Sequence, residues 1–270
     1  FTVEGDAHLW RRRAVAPAFR RGAVEALAPA MSRAAEVACE RIAARGGRAE
    51  DMSRDMVRVT LDVICDTTLS GGEGLERGAV AQAVTRFVET VGRPSMLDML
   101  GAPRWIPRPG REIAKRNDAL DRIADRVVRS RLAEGPKDPP DLVDLMLAAE
   151  DKETGRAMGP VEARNNLLTF VAAGHETTAL ALSWALWLLA ADPAAQARLR
   201  AVARDVLAPG GAPRAAEAED LPRLAPIRAV VEETLRLYPP AAIIARKAAA
   251  EDGLPGVRID PGDAVVIPVW

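Results

Sequence analysis

Chemistry in this chain concentrates in three short stretches. The first is Gly174-His175-Glu176-Thr177-Thr178, set between the largely apolar runs Leu167–Ala173 and Ala179–Ala191, the latter broken only by Ser183. An acid beside two hydroxyls can relay protons, but inside a core each such group needs a hydrogen-bond partner. The small pair Ala173-Gly174 leaves backbone open to something flat or small. His175-Glu176 invites a zinc-protease reading, which requires a second His four residues on, where Ala179 stands. Asp141 and Asp144 are too sparse for the Mg²⁺-binding aspartate clusters of a prenyl-type synthase. A purely structural reading, with the Thr177 hydroxyl bonded back to the Ala173 carbonyl, stays open.

The second stretch is Glu233-Thr234-Leu235-Arg236, ahead of Leu237-Tyr238-Pro239-Pro240. Glu and Arg three apart share a helix face and can pair. The apolar neighbours Val230, Val231, Leu235 and Leu237 point to at least partial burial, where a bidentate Arg–carboxylate contact carries weight. The third is His8-Leu9-Trp10-Arg11-Arg12-Arg13, followed by Pro17 and Phe19. His8 and Arg12 lie four apart and can aim donors at one anion; a solvated basic helix start is the alternative. Arg11, Arg13, Arg20 and Arg21 make this region basic enough to steer an acidic partner.

Helical periodicity must position these residues. Apolar spacing of three and four predicts helices over 6–18, 21–45, 53–69, 78–91, 111–134, 141–150, 160–191, 193–207 and 226–238. Gly46-Gly47, Ser70-Gly71-Gly72, Gly135-Pro136 and Pro209-Gly210-Gly211 separate them. Asp192-Pro193 reads as a cap followed by a first-turn proline. The Pro- and Arg-rich Gly92–Gly110 loop is long enough to be a lid or a surface excursion. After Pro240 the pattern becomes β: a strand over 241–246, then a hairpin of 257–259 with 264–267 around Asp260-Pro261-Gly262-Asp263. The fold class is mainly α with a small β portion, a helical core over 1–240 and the start of a β portion over 241–270, within one domain.

Bulk properties narrow the classes. With 270 residues and a net charge of −1, no whole-chain field argues for nucleic acid. Cys39 and Cys65 form neither a disulfide framework nor a metal-like spacing, so a cytoplasmic location is expected. The 167–191 run is long enough to span a bilayer, but its polar centre makes a buried core helix the better reading. The start lacks a signal-peptide pattern. The first residue is Phe and the last falls within a strand-like pattern, so a fragment missing both ends is expected.

In this order the three stretches resemble the cytochrome P450 family, in particular its bacterial-type soluble members. The family's early helix carries Trp or His, then Arg four residues on, then Pro-x-Phe, as in His8, Arg12, Pro17 and Phe19. Its long central helix carries Ala/Gly-Gly-x-Asp/Glu-Thr, as in Ala173-Gly174-His175-Glu176-Thr177. A later helix carries Glu-x-x-Arg, as in Glu233 and Arg236, with an Arg in the next strand, as in Arg246. The resemblance implies an incomplete P450 fold, haem b as cofactor, and a monooxygenase that hydroxylates a lipophilic small molecule with dioxygen and two electrons. It implies that Thr177 and Glu176 are catalytic, that His8, Arg12, Ala173, Gly174 and Arg246 face the haem, and that Glu233 and Arg236 are structural. Electrons would come from a ferredoxin, flavodoxin or reductase. The family's cysteine loop, Phe-x-x-Gly-x-Arg-x-Cys-x-Gly, is not matched by Cys39 or Cys65, so the axial ligand is expected outside this chain. A haem-free, P450-like scaffold and, less consistently, a helical terpene-cyclase-type enzyme are the alternatives.

Overall fold

The computed structural model describes residues 5–48, 50–69, 77–91, 118–138 and 140–269. The Gly92–Gly110 loop, the Ser70-Gly71-Gly72 break and the first residues of the helix expected over 111–134 lie outside them. The chain falls into two compact units, Phe1–Glu176 with Ala215–Glu219, and Thr177–Arg214 with Asp220–Trp270. The boundary lies inside the long helix of the polar pentad.

In the first unit, α1 (Asp6–Val15) runs into a turn of 3₁₀ helix, Ala16–Phe19. The helix expected over 21–45 is two, α2 (Arg21–Glu25) and α3 (Ala28–Ala43). Pro29 lacks an N–H and fits only the first turn of a helix, so the chain must restart there. Then come α4 (Met52–Thr68), capped by the Asp51 carboxylate, α5 (Arg77–Val91) and α6 (Asp118–Glu134). The helix expected over 141–150 is shorter, α7 (Leu142–Leu147), closed at its start by a reciprocal Asp141–Asp144 capping box. The chain next forms a small hairpin, β1 (Glu150–Asp151) with β2 (Arg156–Ala157), which periodicity gives no hint of. One core joins these elements apart from α2 and α3: Val84, Leu120, Val143, Met146 and Leu167 are all nearly inaccessible.

The long helix α8 (Pro160–Ala191) matches its predicted bounds. Its second half belongs to the second unit, with α9 (Pro193–Leu207) and α10 (Ala225–Leu237). Asp192 caps α9 as expected, accepting from the Ala195 amide. The strands are β3 (Ile243–Lys247), β4 (Asp252–Leu254), β5 (Val257–Ile259) and β6 (Ala264–Pro268). The expected 257–259/264–267 hairpin does not form: β5 pairs with β4, and β6 pairs with β3. Leu254 faces Val257 across Pro255-Gly256, and Gly256 has φ 81°. Proline then glycine with positive φ suits a tight turn, and this local signal outweighs the longer Asp260–Asp263 connection.

Candidate active site

The polar pentad sits midway along α8. Ala163, Leu167, Val171, His175 and Ala179 are all buried, a stripe at every fourth residue. His175 is therefore the only buried member of the pentad, whereas Glu176, Thr177 and Thr178 are exposed. This corrects the expectation that the acid and hydroxyls lie in the core: one helical turn cannot put five successive residues on one face. The His175 ring Nδ1 lies 3.2 Å from the Val171 carbonyl. Burial lowers the His175 pKa, so the imidazole is neutral and Nδ1–H donates to that carbonyl. Helix α4 meets α8 here. A Cβ on Gly174 would lie 2.8 Å from Ile64 Cδ1, so the close approach the glycine permits is taken by an aliphatic side chain. The Thr60 hydroxyl lies 2.8 Å from the His175 carbonyl.

Helix α1 divides its basic residues between two tasks. Arg13 donates through Nε and Nη2 to the buried carboxylate of Asp151 at 2.9 and 2.8 Å. That bidentate contact holds the Asp151 carboxyl well below the usual carboxylate range. Arg11 lies 3.6 Å from Glu162, and the Arg156 guanidinium sits 4.0 Å from the centroid of the buried Trp10 ring. Arg21 pairs with Glu25. The uniformly basic patch read from Arg11, Arg13, Arg20 and Arg21 is thus largely neutralised by carboxylates. His8 and Arg12 remain exposed and make no ion pair among the described residues. Phe19, from the same motif, contacts the Phe170 ring of α8 at a centroid distance of 5.0 Å.

In the second unit, Arg246 is exposed on β3 and donates to the Ala245 carbonyl of its own strand. Glu233 and Arg236 pair as expected, with Nη2 and Nε at 2.6 and 2.7 Å from the carboxylate oxygens. The bond lowers the Glu233 pKa and raises that of Arg236. Partial burial was the expectation, yet both side chains are more than half exposed, at 54% and 66%. The buried position of that stretch is Thr234, whose hydroxyl donates to the Val230 carbonyl.

An exposed guanidinium such as that of Arg12 suits a carboxylate, the chemistry of a haem propionate. Among the described residues His8 and Arg12 lie outside any ion pair, four residues apart on one helix. Neither cysteine lies in a loop like the family's: Cys65 is buried within α4, where burial pushes its thiol up to about 11, and Cys39 is exposed on α3.

A family model described as Cytochrome P450 matches residues 1–270. The chain belongs to the cytochrome P450 family. It is 34% identical to cyclooctatin synthase of Streptomyces melanosporofaciens over 98% of this chain and 57% of the relative. It is 32% identical to cyclooctat-9-en-7-ol 5-monooxygenase of the same organism over 97% of this chain and 56% of the relative. The crystal structure of the cytochrome P450DA heme domain superposes with a TM-score of 0.81 at 25% identity, over 96% of this chain and 56% of that one. The chain thus has an incomplete P450 fold, spanning little more than half the length of these relatives. P450 family members are haem proteins, and membership sets the terpene-cyclase reading aside. No single described helix is long and apolar enough to cross a membrane.

Proposed function

We propose that this chain carries the proton-delivery and propionate-gripping part of a haem monooxygenase that hydroxylates a lipophilic small molecule. The observation that carries the reading is the outward presentation of Glu176 and Thr177 at the centre of α8, within the family's own motif. The relatives' names agree: one is a monooxygenase of cyclooctat-9-en-7-ol, and a plant relative, 28% identical, is a cytokinin hydroxylase.

Haem b, when bound, supplies the activation of dioxygen at its iron. This chain's residues supply the surroundings. Thr177 Oγ1 holds a proton donor at the helix surface, and the exposed Glu176 carboxylate returns protons to it from solvent. The exposed Ala173 keeps that stretch of helix low, so a small molecule and a flat ring can approach, whereas the space beside Gly174 is filled by Ile64. His8, Arg12 and Arg246 would hold the propionates, and the solvated Glu233–Arg236 pair adds little to the stability of this chain. Electrons arrive from a ferredoxin, a flavodoxin or a reductase, and of Arg11, Arg13, Arg20 and Arg21 only Arg20 makes no ion pair among the described residues and is left to meet an acidic partner. A cytoplasmic site of action is part of the same reading.

Thr177→Ala tests it. In the haem-loaded protein supplied with electrons and substrate, the variant should divert reducing equivalents from product to hydrogen peroxide by about tenfold or more, the lower range for loss of a proton-transfer group. Product formed per electron pair equal to that of the parent rejects the role. Failure to take up haem by a protein that contains both this chain and a cysteine loop favours the scaffold reading.

A further inference from the structure

We propose that Thr60 and Ile64 of α4 form a two-point grip on the centre of α8 that sets the rotation of Glu176 and Thr177, making both positioning residues. The inference rests on the monooxygenase reading for its consequence, but not for its geometry.

The segment 174–178 is the weakest part of α8 by composition. Glycine inside a helix loses the most backbone entropy, and the paired threonines are stiff at χ1 and poor helix formers. Such a stretch needs tertiary support to stay regular. Two contacts, both from α4 and both within the first unit, supply it. Ile64 Cδ1 fills the space where residue 174 has no side chain, at 2.8 Å from an ideal Cβ position, so no other residue type fits there without movement. One residue on, the buried Thr60 hydroxyl reaches the His175 carbonyl at 2.8 Å. That hydroxyl also lies 2.9 and 3.1 Å from the Met56 and Val57 carbonyls of its own helix. It has one proton for three acceptors, and the interhelical acceptor is the nearest.

The consequence follows from helix geometry. Each residue turns about 100° from the last. Fixing the backbone at 174 and the carbonyl at 175 therefore fixes where the side chains of 176 and 177 point. Thr60 meets α8 at the His175 carbonyl and Ile64 meets it beside Gly174, so both act through the backbone.

Thr60→Val is the test, since valine keeps the branched shape and removes the hydroxyl. In the 270-residue chain without haem, amide hydrogen exchange across 174–181 should quicken by about fivefold, the worth of one net hydrogen bond, with α3 and α6 unchanged. Thr60→Ser should return exchange to the parent rate. In the haem-loaded protein, Thr60→Val should raise the peroxide share of electrons consumed while haem occupancy and substrate affinity hold, and Thr60→Ser should reverse it. Unchanged exchange over 174–181, or a rise spread evenly over every helix, overturns the grip. If Thr177→Ala diverts electrons and Thr60→Val does not, the positioning role fails while the monooxygenase reading stands. If neither diverts them, that reading fails, and the exchange arm alone judges the grip. Should valine prevent folding, Thr60→Ala removes the same hydroxyl without a methyl against the carbonyl and is read in its place.

Discussion

The two units use the same residue types to different effect. In the first, charged groups are paired inside: Arg131 is 4% exposed and bonds both Asp141 and Asp144, and Arg13 reaches the buried Asp151. In the second, Arg214 likewise pairs with the buried Asp220, but the Glu233–Arg236 pair, with equally short bonds, lies in solvent. The first unit has a continuous core, whereas Leu235, Leu237, Ile243, Val266 and Ile267 of the second are all exposed. Geometry of a pair therefore says little until burial is known. A solvated pair gains little over water, whereas a buried charge stripped of its partner is severely penalised.

That contrast can be broken by mutation. The largest effect is expected at Arg131. Arg131→Met leaves two carboxylates without their cation and should cost about 3–5 kcal/mol, read by denaturant unfolding of the first unit. The pH dependence has a definite sign. Burial pushes the Asp141 carboxyl up, but bonds from Arg131 and nearby amides outweigh it, so its folded pKa is depressed. Its contribution is complete above the unfolded carboxylate value of about 3.9 and fades as pH falls through the folded value. Stability of the parent should fall in acid, and Arg131→Met should flatten that fall. An unchanged acid profile would show that Arg131 does not set it.

A smaller effect is expected where α4 meets α8. Alanine at 174 gains helix propensity but crowds Ile64 Cδ1, and Ile64→Val removes that methyl, leaving Cγ1 at 3.7 Å, an ordinary contact. Gly174→Ala should thus be more favourable by about 1 kcal/mol in the Ile64→Val background than in the parent, read by a double-mutant cycle in thermal unfolding. Strict additivity would mean that the two side chains do not meet. The smallest effect is expected at Glu233. Glu233→Ala should leave the melting temperature of this chain unchanged within error, and a clear drop would show that the pair is shielded from solvent.

How much was legible in the sequence follows from the range of the forces involved. Helix α8, the Asp192 cap and the three motifs are local: they depend on apolar spacing, on one side chain reaching a nearby amide, and on residue types in fixed order. These were readable, and with them the family. The strand pairing was misread because a two-residue Pro255-Gly256 turn competes with a four-residue one, and the Pro29 restart because periodicity continues through it. Which members of the pentad are buried was not readable either, because that depends on where the partner helix lies.

The sequence by itself determined the helices, the order of the motifs and thus the P450 family, since each is encoded within a few turns of chain. Only the tertiary structure decided that Arg13 belongs to Asp151, 138 residues away, that Ile64 fills the space beside Gly174, and that Glu233 and Arg236 stay in water. Those outcomes depend on which surfaces exclude solvent from each other, and no local pattern of residues carries that information.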